Sequence, residues 1–210
     1  MKLLLFSDVH CSQPAVERLV ERAAEVDVLV GAGDFGTMRR GTAETLLPFR
    51  DVKKPLVLVC GNGESDEELR EAVPWDHAHV LHGSGVEIQG QAFFGLGGGI
   101  PVTPFGSWSF DLDEVQAAEA LAECPQNAVL VVHSPPFGTV DISSQGRHLG
   151  SQSIRETVLR CQPVLTVCGH IHDSAGRCEK LAQSPVVNAG PQGIIWDLDT
   201  SGPMGGATCS

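Results

Sequence analysis

Short apolar runs alternate with amphipathic stretches over most of this chain. Residues 2–6 (Lys2-Leu3-Leu4-Leu5-Phe6) predict a buried strand, and residues 14–24 follow with Ala15, Val16, Leu19, Val20 and Ala23 at helical spacing. Pro14 suits a first helical turn, where its missing N–H removes no bond. The same alternation predicts a strand at 26–31, a short helix at 42–47, a strand at 55–60 and a helix opened by Ser65-Asp66-Glu67-Glu68 at capping-box spacing. Residues 78–81, 85–88 and 91–95 read as short strands, the last two joined across Gln89-Gly90 as a hairpin. Residues 97–108 form a Gly-, Pro- and Ser-rich loop, long for an idle connection. A helix at 111–123, with Asp111 and Glu114 as its capping pair, precedes a strand at 128–133, a helix at 151–161 and a strand at 164–168. Residues 186–189 and 193–198 are expected to close the chain as a hairpin, with a domain over 1–199 and a flexible tail over 200–210.

Alternating β and α units at both ends, with consecutive strands between them, predict an α/β fold. In it, two mixed β-sheets pack as a sandwich flanked by helices. A length of 210 residues suits one core, and 42% hydrophobic residues exclude a disordered chain. Asp and Glu number 26 against 14 Lys plus Arg, a net charge of -12, which counts against long nucleic acid as a partner. Any phosphate chemistry therefore needs a local source of positive charge. The first apolar run stops at Ser7-Asp8, too short for a signal peptide or membrane span. Seven scattered cysteines without a Cys-x-x-Cys pair disfavour a disulfide framework or a thiolate zinc cage. The expectation is a soluble, reduced, cytoplasmic protein of undetermined oligomeric state.

Five segments share one feature: an apolar strand ends and a polar group follows at once. They are Phe6-Ser7-Asp8-Val9-His10, Val30-Gly31-Ala32-Gly33-Asp34, Val59-Cys60-Gly61-Asn62, Val131-Val132-His133-Ser134 and Cys168-Gly169-His170-Ile171-His172. Strand ends of an α/β sheet face a common crevice, so these groups can meet there. Carboxylates, imidazoles and an amide carbonyl gathered together suit divalent ions, whereas without an ion the buried charges would repel. The competing reading is a set of separate caps and turns, which Asp and Asn also favour.

In that order the segments resemble the calcineurin-like metallophosphoesterases, whose pattern is Asp-x-His, Gly-Asp, Gly-Asn, a lone His and Gly-His-x-His. The segments 133–136 and 146–151 are similar to a small stand-alone prokaryotic branch. The resemblance implies a two-sheet sandwich and two divalent ions, Mn2+ foremost, with Fe, Zn, Ni or Mg as alternatives. It further implies that Asp8, His10, Asp34 and His172 hold one ion, and Asp34, Asn62, His133 and His170 the other, with Asp34 as the bridge. Asp34, Asn62, His133 and His148 are the implied catalytic residues. Two dications would lower the pKa of a shared water and neutralise phosphoryl charge, supplying what the composition lacks.

One position departs from the pattern. Where many members carry a His that protonates the leaving alkoxide, this chain has Gly63, followed by Glu64. Three outcomes stay open: a proton from His148 or solvent, a substrate with a good leaving group, or low activity. The function read here is hydrolysis of small or nucleotide-like phosphate mono- or diesters, good leaving groups favoured. The alternative is a catalytically weak scaffold that binds proteins.

Other candidates fall outside the pattern. Arg39 and Arg40 suit phosphate oxygens or form a solvated pair, while Arg147 and His148 are expected near substrate. Glu64 reads as a helix-start charge. His77, His79 and His82 read as a solvated loop and strand edge, and Cys11 and Cys168 as small buried residues.

Overall fold

The computed structural model describes residues 1–199 and 202–203. Among these residues twelve strands form two six-stranded sheets. The first has the order β12-β11-β1-β2-β3-β4, from Lys2–Phe6 (β1), Val28–Ala32 (β2), Leu56–Val59 (β3), Ala78–Val80 (β4), Ile194–Asp197 (β11) and Gly202–Pro203 (β12). The second has the order β5-β6-β7-β8-β10-β9, from Ser84–Ile88 (β5), Gln91–Leu96 (β6), Val129–Val132 (β7), Leu165–Cys168 (β8), Cys178–Leu181 (β9) and Ser184–Asn188 (β10). Strands β1 to β4 are parallel, as are β6, β7, β8 and β10, while β5, β9 and β11 run antiparallel to their neighbours.

Apolar side chains on the facing surfaces fuse the sheets: Leu3, Leu5, Val28, Val30, Val57 and Val59 share one core with Val129, Val131, Leu165, Val167 and Val187. These parallel strands are apolar on consecutive positions because both of their faces are covered. The outer face of the first sheet packs against α1 (Gln13–Arg22), α2 (Thr42–Leu46) and α3 (Asp66–Ala72) through residues such as Phe6, Val16, Leu19, Leu46 and Leu69. The outer face of the second packs against α4 (Glu114–Ala120) and α5 (Gln152–Cys161) through Leu130, Val132, Ala117, Ile154 and Val158. The two-sheet sandwich flanked by helices is thus the fold expected from the pattern.

Several local expectations are corrected. Residues 186–189 and 193–198 do not form a hairpin: β10 pairs with β8 and β9, whereas β11 crosses to the first sheet and pairs with β1. Strand β9, absent from the reading of the pattern, closes the second sheet. The cap of α4 is Asp113 with Gln116, not Asp111 with Glu114, whereas the Ser65–Glu68 capping box of α3 forms as its spacing predicts. Cys11 is exposed, and Cys178 is disulfide-bonded, so a wholly reduced set of thiols does not hold at that position. The expected flexible tail 200–210 lies outside the described residues, save Gly202–Pro203, which pair with Asp197 and Trp196. Among the described residues no helix is long and apolar enough to cross a membrane.

Candidate metal centre

The sandwich brings the five polar segments to one end of both sheets. Asp8, His10, Asp34 and Asn62 follow β1, β2 and β3 of the first sheet, and His133, His170 and His172 follow β7 and β8 of the second. The backbone there is unusual. Asp8, His10, Asp34 and His170 have φ of 53°, 45°, 57° and 67°. Non-glycine residues visit this left-handed region at a cost, and such positions cluster at functional sites. Four such positions lie together at the strand ends. Gly33, at φ 88°, is required outright: a Cβ there would lie 2.6 Å from the Gly61 backbone.

Hydrogen bonds aim the imidazoles. His133 Nδ1–H donates to the Ala32 carbonyl at 2.8 Å and His10 Nδ1–H to the Gly36 carbonyl at 3.2 Å. Each is thereby left with an Nε2 lone pair directed inward, the arrangement by which metal-binding histidines are usually held. His10 Nε2 lies 3.1 Å from His172 Nε2 and 3.6 Å from Asp34 Oδ2. His133 Nε2 lies 3.5 Å from Asp34 Oδ1 and 3.3 Å from Asn62 Oδ1. Asp34 thus turns one oxygen toward each imidazole. Ligand atoms of Asp8, His10 and His172 fall within 4.8 Å of one another, as do those of Asp8, Asp34 and His133. His170 stacks edge-on against His133, with ring centroids 4.9 Å apart. Oxygen and imidazole donors in this density fit divalent cations.

The charges respond to one another. Burial alone would raise Asp8, but His172, His133 and the Ser7 hydroxyl hold it down at about 2. Ser7 Oγ donates to Asp8 Oδ2 at 2.5 Å, and the His170 N–H donates to Asp8 Oδ1 at 3.0 Å. Burial and the neighbouring His133 push His170 down to about 4, keeping it neutral. Burial opposes charge on His133, yet Asp34 and Asp8 leave it above its ordinary value. Contact with Asp8 raises His172 as well.

Two supporting groups escaped the sequence reading. Glu64 is wholly buried, not an exposed helix-start charge: Oε1 accepts the N–H groups of Asp34, Phe35 and Gly61, and Oε2 that of Gly36. Burial and the charge of Asp34 push it up to about 7. The second is a clasp on Asn62. Its Nδ2 donates to Ser109 Oγ at 3.0 Å, and Ser109 Oγ donates to Asp111 Oδ1 at 2.8 Å. Asp111 Oδ2 also accepts the N–H and Oγ1–H of Thr103.

The ligand cluster floors a cleft of about 590 Å³. His10, Asp34, Asn62, His170 and His172 line it, together with Pro101 to Phe105, Trp108, Ser143, Arg147 and Leu149. Two residues expected near substrate do not themselves line the cleft. Arg39 does not line the cleft and pairs with Glu68 Oε2 at 2.8 Å. His148 does not line it either; its Nδ1 is 2.6 Å from Oδ1 of the buried Asp141, and its ring tilts against Phe137. Of His77, His79 and His82, none joins a group able to hold an ion among the described residues.

Comparison with known proteins agrees with this fold. The calcineurin-like phosphoesterase superfamily domain matches residues 1–202. The UPF0046 protein K07C11.7 of Caenorhabditis elegans is 30% identical over 203 residues, covering 84% of this chain. The chain spans about 65% of that relative's length. The structure of TT1561 from Thermus thermophilus superposes with a TM-score of 0.77 at 17% identity, covering 98% of both chains. A structure described as a dimetal phosphatase from Danio rerio gives 0.58 at 12% identity, covering 93% of this chain and 91% of that one. With the family domain spanning nearly its whole length, over the fold and cluster just described, this chain belongs to the calcineurin-like phosphoesterase superfamily.

Proposed function

We propose that this chain is a metal-dependent phosphoric ester hydrolase acting on small or nucleotide-like phosphate mono- or diesters, with good leaving groups favoured. The observation that carries it is the split presentation of Asp34, one oxygen toward His10 and the other toward His133. Asp8, His10, Asp34 and His172 would hold one divalent ion and Asp34, Asn62, His133 and His170 the other, Mn2+ being the first to test. When bound, the pair supplies positive charge for phosphoryl oxygens and lowers the pKa of water.

The chain's own residues set the remaining chemistry. His10 and His133 each spend Nδ1–H on a backbone carbonyl, so neither releases that proton to substrate. Arg147 lines the cleft and suits a phosphoryl oxygen. Gly63 offers no proton to a leaving oxygen, and the Nδ1 of His148 is taken up by Asp141. With no imidazole at position 63, the protein supplies less help to a poor leaving group, which disfavours alkoxides.

Gly63 is also the feature that favours a second reading, a weakly catalytic protein-binding scaffold. Hydrolysis of an aryl phosphodiester after stringent chelation, with and without added Mn2+, separates the two. The hydrolase reading expects turnover that needs the ion, and Asp34→Asn losing both ions together. Full activity after chelation, no activity with any ion, or two full equivalents retained by Asp34→Asn would overturn it.

A further inference from the structure

The cleft wall is more distinctive than its floor. Phe105 and Trp108 stack with ring centroids 5.5 Å apart and planes 13° from parallel. Trp108 is half-buried, whereas Phe105 is 50% exposed and Val102 beside it 62% exposed, all three lining the cleft. Large apolar side chains left open to water around a polar pit mark a ligand groove. The loop that carries them is also tied down, because Asp111 accepts from both Thr103 and Ser109 and so closes it on itself. A platform held in place loses little freedom when a ligand arrives. Charge narrows the ligand further: Arg147 is the one Arg or Lys lining the cleft among the described residues, and Asp173 lines it too. Beyond the ions of the floor, a chain of several phosphates would find a single cationic side chain and the carboxylate of Asp173.

Resting on the phosphoesterase reading of the floor, we infer that Phe105 and Trp108 determine specificity: the substrate carries one phosphoryl group and a flat apolar body that stacks on this pair. The flat body adds its ring to the exposed face of Phe105, extending a stack already two rings deep. An aliphatic body of similar size covers the same residues but lacks ring-on-ring attraction.

Three p-nitrophenyl phosphodiesters test this, each with the same leaving group and a methyl, cyclohexylmethyl or 2-naphthylmethyl second ester. With the leaving group and its own ring held constant, the ratio of kcat/KM values reads what the second ester adds. The naphthylmethyl ester is expected to exceed the methyl ester roughly tenfold or more and the cyclohexylmethyl ester severalfold. In a Phe105→Ala, Trp108→Ala double variant the ratios should collapse to near one. Trp75→Phe, outside the cleft and stacked on His77, should keep them. Ratios near one in the native protein, or kept in the double variant, overturn the inference while the hydrolase reading stands. Calorimetric binding of 2-naphthylmethylphosphonate to the Mn2+-loaded protein gives an independent readout. If no ester is hydrolysed but that phosphonate binds and needs Phe105 and Trp108, the platform stands and the hydrolase reading falls. No binding and no hydrolysis overturns both.

Discussion

Glu64 Oε1 accepts the backbone N–H of Asp34 at 2.8 Å, 30 residues away in sequence, and so fixes the residue that faces both halves of the ligand cluster. The same carboxylate accepts from Phe35, Gly36 and Gly61, so two strand-end loops share one buried anion. In Glu64→Gln one oxygen becomes a donor amide facing N–H groups that then lack an acceptor. Each buried polar group left unpaired costs about 1–3 kcal/mol, so a loss of about 2–4 kcal/mol is expected. For a chain of this size that is a fall in Tm of roughly 5–15 °C, measurable by calorimetry. An unchanged Tm would mean that the loops do not depend on Glu64.

Ser109 should act on metal affinity through Asn62. Ser109→Ala removes the acceptor of Asn62 Nδ2 and frees the amide to rotate. Groups that orient a ligand typically influence affinity by about 10–100-fold. Titration calorimetry should show one Mn2+ equivalent weakened by about tenfold and the other little altered, with Ser109→Thr restoring the first. Two equivalents weakened alike would place the effect of Ser109 elsewhere.

The metal-free protein should lose stability as pH rises above about 6.5. His133 and His172 have raised values in the folded state, so their contribution is full below 6.5 and fades as pH climbs through the folded values. Glu64, raised to about 7, adds a loss between about 4.5 and 7. His170, lowered to about 4, works the other way, adding stability as pH rises from about 4 to 6.5. His79 and His82, lowered by burial, act with His170 against Glu64 below 6.5, and a decline remains above it. Divalent ions need deprotonated imidazoles, so the rise in Tm on adding Mn2+ should be larger at pH 8 than at pH 6. A metal-free Tm that climbs from pH 6.5 to 8 would contradict these assignments.

Gly63→His tests the missing acid. The backbone at Gly63 does not lie in the left-handed region, and a Cβ there would meet Asp34 Oδ1 at 3.1 Å, a tight but local contact. General acid catalysis is worth about 10²–10⁴-fold, and aryl oxides barely need it. Turnover of an alkyl monoester should therefore rise at least tenfold while that of an aryl ester changes by only a few fold. Equal gains for both would remove leaving-group protonation as the explanation.

The strand-end positions of all seven ligand candidates could be read from the sequence, because each polar group directly follows an apolar run and parallel sheets align such ends. Supporting groups were hidden for physical reasons. Glu64 stands one residue before the Ser65 cap, where a carboxylate ordinarily faces water, and only tertiary packing over Gly36 and Gly61 buries it. Asp111 resembles a cap because it precedes an apolar helix, but it is taken up by Thr103 and Ser109, leaving that duty to Asp113. Arg39 beside the Gly-Asp loop suggested a phosphate contact, yet Glu68 on α3 claims its guanidinium. The mistaken hairpin has the same origin: β10 and β11 are neighbours in sequence, but the open edge of β1 captures β11 for the other sheet.

The ligand cluster draws Asp8, His10, Asp34 and Asn62 from one sheet and His133, His170 and His172 from its partner. Ions seated among them would rivet the two halves of the sandwich. Sliding one half past the other by an ångström or two would then pull the rivet out. For this protein, resistance to shear and grip on its cations become one mechanical property, observed from two sides.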